Sequence, residues 1–216
     1  MTFCLENLAI HKQKNGEVLL SDLNITISPG EIVSLMGPSG CGKSTLLNVI
    51  AGHLGRDFSF QGRVILDDVD ITLRPAHQRQ VGILFQDDLL FPHLTVWQNL
   101  AFALPNSVKG HERQSQAEKA LQKISLEHLA NAYPEQISGG QRARISLARM
   151  LLAQPKLALL DEPFSKLDKA LRIQFRDWVF NQLVAEGIPT LMVTHDKDDV
   201  PPNSRILTCS WESAHA

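Results

Sequence analysis

Apolar residues in the first third of the chain fall in short runs separated by turn residues, the pattern of β structure. Leu5 to Ile10 predicts a strand, and Asn15-Gly16 marks a turn after it. Val18 to Leu20 and Leu23 to Ile27 predict two more, with Ser21 and Asp22 between them. Pro29-Gly30 turns the chain into the apolar run Ile32 to Met36. Leu46 to Leu54 has helical spacing, and Gly62 to Leu66 and Val81 to Phe85 return to strand patterns. From Val96 to Leu129 the pattern is mostly helical. Ala117, Ala120, Leu121 and Ile124 share one helical face, and charges and glutamines fill the other.

The final part alternates again. A helix is expected from Gly140 to Ala153, stopped near Pro155. Leu157 to Leu160 is a continuous apolar run of the buried parallel kind. A further helix spans Ala170 to Ala185 and ends at Gly187, and Thr190 to Thr194 is the next strand. Pro201-Pro202 forbids a long helix after Asp199, and Arg205 to Cys209 suits an edge strand. The order predicts an α/β core with a helical insertion of about 40–50 residues, bounded near Gln86 and Ile137.

One motif changes the picture most. Gly37-Pro38-Ser39-Gly40-Cys41-Gly42-Lys43-Ser44-Thr45 fits the phosphate-binding P-loop pattern, and it lies between an expected strand and an expected helix. Its glycines let backbone N–H groups turn inward as a nest for phosphate oxygens. The helix start adds unpaired N–H groups and a positive dipole end. Lys43 supplies a flexible point charge for the β- and γ-phosphates, and Ser44 a hydroxyl for Mg²⁺.

Composition narrows the classes. A chain of 216 residues with 44% hydrophobic and 20% charged residues is ample for a buried core. The net charge of −2 gives no global basic field for nucleic acid. No apolar stretch approaches the roughly 20 residues a membrane helix needs, and the start at Met1-Thr2-Phe3-Cys4 lacks signal-peptide features. A membrane process would be served from the cytosolic side, through a partner. Cys4, Cys41 and Cys209 are a sparse, odd set suited to a reducing compartment, and the eight histidines show no zinc-binding spacing.

Leu157 to Glu162 is an apolar strand ending in two acids. Ligands of open α/β sheets sit at the carboxyl ends of strands. Asp161 is therefore placed for Mg²⁺ and Glu162 for a water facing the γ-phosphate. Taken alone, the pair also suits a helix N-terminus favoured by its dipole. Ile137-Ser138-Gly139-Gly140-Gln141 opens the later helix, with Ser138 as cap and two glycines allowing close approach. It is a second anion-binding helix start without an equivalent of Lys43.

On these residues the chain resembles the nucleotide-binding subunit of ATP-binding-cassette (ABC) transporters. The P-loop resembles Walker A, Ile137 to Gln141 the family signature (with Ile for the usual Leu), and Leu157 to Glu162 Walker B with its catalytic glutamate. Gln86 matches the Q-loop, Ser165-Lys166-Leu167-Asp168 the D-loop and His195 the switch histidine, all in family order between Leu5 and Asp199. Outside that order, a lone Gln or His would be an ordinary structural residue. The resemblance implies a P-loop NTPase core, residues 1–86 and 137–216, with an N-terminal antiparallel β subdomain and a helical subdomain near 87–136. It also implies that no C-terminal regulatory domain follows.

The resemblance further implies ATP and Mg²⁺ as ligands and a head-to-tail homodimer around two ATP molecules. Ser138, Gly139, Gly140 and Gln141 of one copy would bind the γ-phosphate held by Lys43 of the other. Gln86 would sense Mg²⁺ and water, Glu162 would act as base, His195 would hold the γ-phosphate, and Asp168 would couple the sites. The family often stacks adenine on an aromatic residue. Ile10 to Gly16 has none; the His11 imidazole could stack there, whereas Lys12 or Lys14 would do so poorly. Lys166 replaces a small D-loop residue.

Gln86 to Leu104 is similar to the stretch of bacterial sulfate, iron, polyamine and thiamine importers that receives a permease helix. Leu89, Leu90, Phe91, Leu94 and Trp97 suit that groove, and equally suit packing of the insertion itself. The implied role is an ATPase on the cytoplasmic face of the bacterial inner membrane. It would serve permease subunits and a periplasmic solute-binding protein, with no nucleic acid partner. Export, lipoprotein release and non-transport cassettes remain the alternatives.

Overall fold

Residues 1–38, 40–85, 87–202 and 204–209 are described in the computed structural model. Their elements are, in order, β1 (Phe3–Lys12), β2 (Val18–Ile27), β3 (Ile32–Met36), α1 (Lys43–Ala51), β4 (Phe58–Leu66), β5 (Val69–Asp70), β6 (Val81–Leu84), α2 (Val96–Ala103) and α3 (Gly110–Lys123). There follow α4 (Gly139–Leu152), β7 (Leu157–Asp161), α5 (Lys169–Ala185), β8 (Thr190–Val193) and β9 (Arg205–Thr208). The chain forms two compact units. One comprises the described residues of Met1–Ile83, Lys156–Glu162 and Phe180–Ala216, and the other Leu84–Pro155 and Pro163–Val179.

In the first unit the early apolar runs pair as the sheet β2-β1-β4-β5, antiparallel at each pairing. The two runs expected at Val18–Leu20 and Leu23–Ile27 form the single strand β2. The turn residue Asp22 takes φ 51° inside the strand, and the register shifts beside it, so a bulge absorbs what looked like a break. β4 starts at Phe58, earlier than the expected Gly62. Gly62 is a bulge partner and not a strand start: it takes φ 101°, and a Cβ there would lie 2.5 Å from the Asn7 carbonyl.

The second sheet has the order β6-β7-β8-β3-β9, with β3 parallel to β8 and β9, and β7 parallel to β8. Leu157 to Leu160 and all of β8 are buried, as strands covered on both faces must be. Phe3, Leu8, Ile27, Leu35, Ile50 and Leu159 belong to one hydrophobic core that joins both sheets to α1.

A buried arginine closes the far end of α1. Arg79, only 5% exposed, donates from Nη1 to the Val49 and Ile50 carbonyls at 2.9 Å each. Its Nη2 and Nε reach the Thr72 and Arg74 carbonyls at 2.7 and 2.8 Å. Burial lowers its pKa, yet a guanidinium stays charged, so carbonyl oxygens stand in for a carboxylate partner. Gly52, which ends α1 at φ 82°, leaves the space: a Cβ there would sit 2.7 Å from Arg79 Nε.

The mostly helical stretch expected over 96–129 is present in the second unit as two helices, α2 and α3, with a break between them. α2 stops at Ala103 because Leu104 precedes Pro105 and is extended, at ψ 145°. Arg113 donates to the carbonyls of Ala101, Leu104, Pro105 and Val108, which satisfies the end of α2 and the connection to α3. α2 packs against α3 and α4, burying Leu100, Leu121 and Ile145 among others. Buried Asn99 accepts from the Phe91 N–H at 2.8 Å and donates to the Phe91, Leu94 and Thr95 carbonyls, fixing the loop before α2.

Arg79→Met keeps the aliphatic stem but orphans buried carbonyls. It is expected to cost about 2–4 kcal/mol of stability. Urea denaturation monitored by circular dichroism measures the loss; a midpoint within error of wild type would mean that water replaces the guanidinium without penalty.

Candidate nucleotide-binding site

The expected phosphate loop runs from the end of β3 into α1, with Gly40 at φ 85° and Gly42 at φ 92° making the turn. Gly42 is the N-cap of α1. Among the described residues no side chain caps this helix and no acid lies in its first turn. Its first N–H groups and positive dipole end are thus available to an anion. Lys43 is 8% exposed, and its Nζ donates to the Gly37 and Pro38 carbonyls at 2.8 and 2.7 Å and to Cys41 Sγ at 3.7 Å. Leu19 lies over Gly42, 2.9 Å from where a Cβ would be.

Parallel pairing brings the acids beside the loop. Asp161 and Leu35 both align with Val193. Ser44 Oγ donates to Asp161 Oδ2 at 2.8 Å. Burial raises the Asp161 pKa; the Ser44 hydroxyl opposes this, the Glu162 carboxylate adds to it and Lys43 opposes it. Glu162 takes φ 48°, and its N–H donates to the Val193 carbonyl at 2.9 Å. This left-handed residue turns its side chain to His195, with Oε1 2.9 Å from Nδ1. The exposed His195 follows buried Thr194, whose Oγ1 donates to Asp199 Oδ2 at 3.2 Å and accepts from the Asp196 N–H at 3.1 Å. That turn holds the histidine at the end of β8.

The first unit therefore assembles Gly37, Pro38, Gly40, Cys41, Gly42, Lys43, Ser44 and Thr45 with Asp161, Glu162 and His195. Ser39 and Gln86 lie outside the described residues. Ser138, Gly139, Gly140, Gln141 and Asp168 belong to the second unit. Ser138 Oγ accepts from the Gln141 N–H at 3.2 Å, and Gln141 Oε1 from the Ser138 N–H at 2.8 Å, a capping box that opens α4. A Cβ on Gly140 would meet Leu167 Cδ2 at 3.3 Å. Asp168 Oδ1 accepts from the Leu171 N–H at 3.0 Å and caps α5. Lys166 pairs with Asp87 at 3.2 Å.

Asp88 escaped the sequence reading. Arg142 Nε binds its carboxylate at 2.9 Å, and Ser146 Oγ donates to its carbonyl at 2.7 Å. Arg149 Nη2 donates to the Leu89 carbonyl at 2.9 Å, and its guanidinium lies 5.4 Å from the Phe91 ring centroid. The available signal was the polar stripe Arg142, Ser146 and Arg149 at helical spacing on α4. Of the apolar residues expected as anchors, Leu90 is buried, Phe91, Leu94 and Trp97 are half-buried, and Leu89 is 54% exposed. Phe102, not among them, is 66% exposed and meets Phe91 edge-on at 4.8 Å. No helix among the described residues is long and apolar enough to cross a membrane.

Comparison with known proteins identifies the family. The family model described as ABC transporter matches residues 20–165. The chain is 49% identical over 204 residues to the uncharacterized ABC transporter ATP-binding protein YnjD of Escherichia coli K12, covering 94% of this chain and 93% of that protein. It is 41% identical to the sulfate/thiosulfate import ATP-binding protein CysA of Neisseria meningitidis serogroup A, covering 92% of this chain and 56% of that protein. Identity is also 41% with the spermidine/putrescine import ATP-binding protein PotA of Vibrio cholerae, over 88% of this chain and 50% of that one. This chain thus spans about half the length of the latter two. A dimeric structure of the ATP-binding cassette MJ0796, in a post-hydrolysis state bound to ADP and Pi, superposes with a TM-score of 0.82 at 31% identity, over 95% of this chain and 93% of that one.

Burial disfavours the ionised form of Asp161 in the folded state. Above its ordinary value of 3.8 this is a penalty on folding, and below it the carboxyl is neutral in both states and the penalty vanishes. Asp161→Asn keeps an oxygen to accept from Ser44. It is expected to raise the unfolding temperature of nucleotide-free protein at neutral pH, with the gain shrinking as pH falls toward 3.8. Thermal melts across pH check this; a lower midpoint at neutral pH would mean that the attraction of Lys43 and Ser44 for the carboxylate outweighs its desolvation.

Proposed function

The chain belongs to the ABC transporter family as an ATP-binding cassette and ATPase, and from that premise we propose that it energises solute import across a bacterial inner membrane. ATP binding closes a head-to-tail dimer, and hydrolysis reopens it. The observation that carries the ATPase half is the pairing of Ser44 with Asp161 and of Glu162 with His195 at the ends of adjacent parallel strands.

The residues fit an Mg²⁺-nucleotide. The N–H groups of Gly40 to Thr45 and the start of α1 receive phosphate oxygens, and Lys43 leaves the Gly37 and Pro38 carbonyls to meet the β- and γ-phosphates. Ser44 and Asp161 are hard oxygen donors, already 2.8 Å apart, that with Gln86 would hold Mg²⁺; the bound ion neutralises phosphate charge. Glu162 orients the attacking water and takes its proton, and His195, positioned by Glu162, faces the γ-phosphate. Ser138, Gly139, Gly140 and Gln141 of a second copy complete the site once their capping box opens, and Asp168 links the two sites. The dimeric state of the MJ0796 cassette supports this pairing.

Import is favoured by the names of the sulfate/thiosulfate and spermidine/putrescine relatives. In this reading the chain is peripheral on the cytoplasmic face. Leu89, Phe91, Trp97 and Phe102 receive a permease helix, and a periplasmic protein delivers the solute. Residues 1–86 and 137–216 serve as the nucleotide core and 87–136 as the helical part.

Glu162→Gln is expected to slow ATP hydrolysis by about 10²–10⁴-fold and to leave an ATP-bound dimer that persists in light scattering. Ser138→Arg should abolish that dimer while nucleotide affinity of the monomer, measured by fluorescent-ATP titration, stays unchanged. Wild-type turnover in the first variant removes Glu162 as base, and equal loss of affinity in the second removes the cross-dimer site.

A further inference from the structure

Two of the three thiols meet against the phosphate loop. A Cβ on Gly37 would lie 2.5 Å from Cys209 Cβ, 3.0 Å from Cys209 Sγ and 3.2 Å from Cys41 Sγ. Both sulfurs thus crowd the space that the missing side chain of Gly37 leaves open. Each thiol is fixed by its backbone. The Cys209 N–H donates to the Met36 carbonyl at 2.8 Å, which sets it beside the last residue of β3. Cys41 is held between the left-handed Gly40 and Gly42.

The two environments are unequal. Cys41 is half-buried, and Lys43 Nζ donates to its sulfur at 3.7 Å. Cys209 is 3% exposed; burial and the Cys41 contact push its pKa up to about 12, so at rest it carries its proton and gives it up only as it attacks. A solvent-borne oxidant reaches Cys41 first, and Cys209 is the nearby thiol able to resolve the product.

We propose that Cys41 and Cys209 are a reversible disulfide modification site, oxidised by a peroxide, that ties the phosphate loop to the strand end after β9 and stops ATP turnover. In the first step the Cys41 sulfur attacks peroxide as its thiolate. An S–O bond forms, the O–O bond breaks, and the product is a sulfenic acid plus one water once the departing hydroxide takes a proton. In the second step the Cys209 sulfur attacks that sulfenic sulfur. The S–S bond forms, the S–O bond breaks, and the Cys209 proton leaves with the hydroxide as a second water. The two thiols lose two electrons and two protons, and the peroxide is reduced to two waters. A dithiol reductant reverses the reaction.

Bond formation must shorten the sulfur contact to about 2.05 Å. This draws the Gly40–Gly42 turn toward β9. The backbone N–H groups that would face phosphate are then fixed by a covalent tie, and Lys43 remains close to the Gly37 and Pro38 carbonyls. Loss of turnover rests on the ATPase reading, whereas the disulfide itself does not.

The test treats purified full-length protein with hydrogen peroxide, blocks remaining thiols, and maps peptides without reduction by mass spectrometry. The expected result is a Cys41–Cys209 linked peptide lighter by two hydrogens than its two parts. ATPase activity is lost in parallel and returns with dithiothreitol. In Cys209→Ser the sulfenic acid on Cys41 should be trapped by dimedone, because the resolving thiol is gone. The wild-type map stands even if that variant fails to fold. Cys41 overoxidised, or linked to Cys4 or to another copy, while Cys209 stays alkylatable, overturns the site. The linked peptide with undiminished turnover overturns the switch alone.

Discussion

Parallel pairing of β7, β8 and β3 is the constraint on which the rest depends. Each strand is buried along its length, so none can slip by one residue without turning its apolar side chains toward the wrong neighbours. The register therefore fixes where the strands end together. Burial also confines polar chemistry to the strand ends and the residues just past them: Asp161 and Glu162 after Leu160, Thr194 and His195 after Val193, and the glycine loop after Met36. The site lies where the apolar sheet stops shielding the backbone.

Its polar groups are satisfied before any ligand arrives. Lys43 is held by carbonyls, Ser44 by Asp161, and Glu162 by His195. A buried ammonium or carboxylate without such partners would be costly. A nucleotide that enters thus exchanges hydrogen bonds more than it adds them, and the net gain per contact is small. On the proposed reading, differential affinity comes from charge, because phosphate would meet Lys43 and an uncapped helix start where neutral carbonyls hold the ammonium now.

Features governed by local pattern were legible in the sequence. Leu157 to Leu160 could only be a strand buried on both faces, and the glycine spacing before Lys43 had one physical reading between a strand and a helix. The features missed depend on residues far apart. Gly62 looked like a strand boundary because its bulge partner, Asn7, lies on another strand. Asp22 looked like a turn because nothing local shows that β1 continues the pairing past it. Pro105 was visible, but the clamp of Arg113 that lets α2 end there needs the fold of α3. Cys209 carried no motif; only the parallel register of β9 on β3 brings it to Gly37.

Within the second unit, α4 does more than present Ser138. Its residues Arg142, Ser146 and Arg149 bind the backbone and carboxylate of Asp88 and the backbone of Leu89, and Asn99 fixes Phe91 to Thr95. Nearly all of these bonds end on backbone atoms, so they hold the loop whatever side chains it carries outward. The exposed Leu89 and Phe102 can then vary in contact without loosening the loop, while a displacement of the loop is carried to α4 by hydrogen bonds of fixed geometry. Asp88 and the helix α4 are thus tied by polar bonds and not by the apolar side chains of the loop.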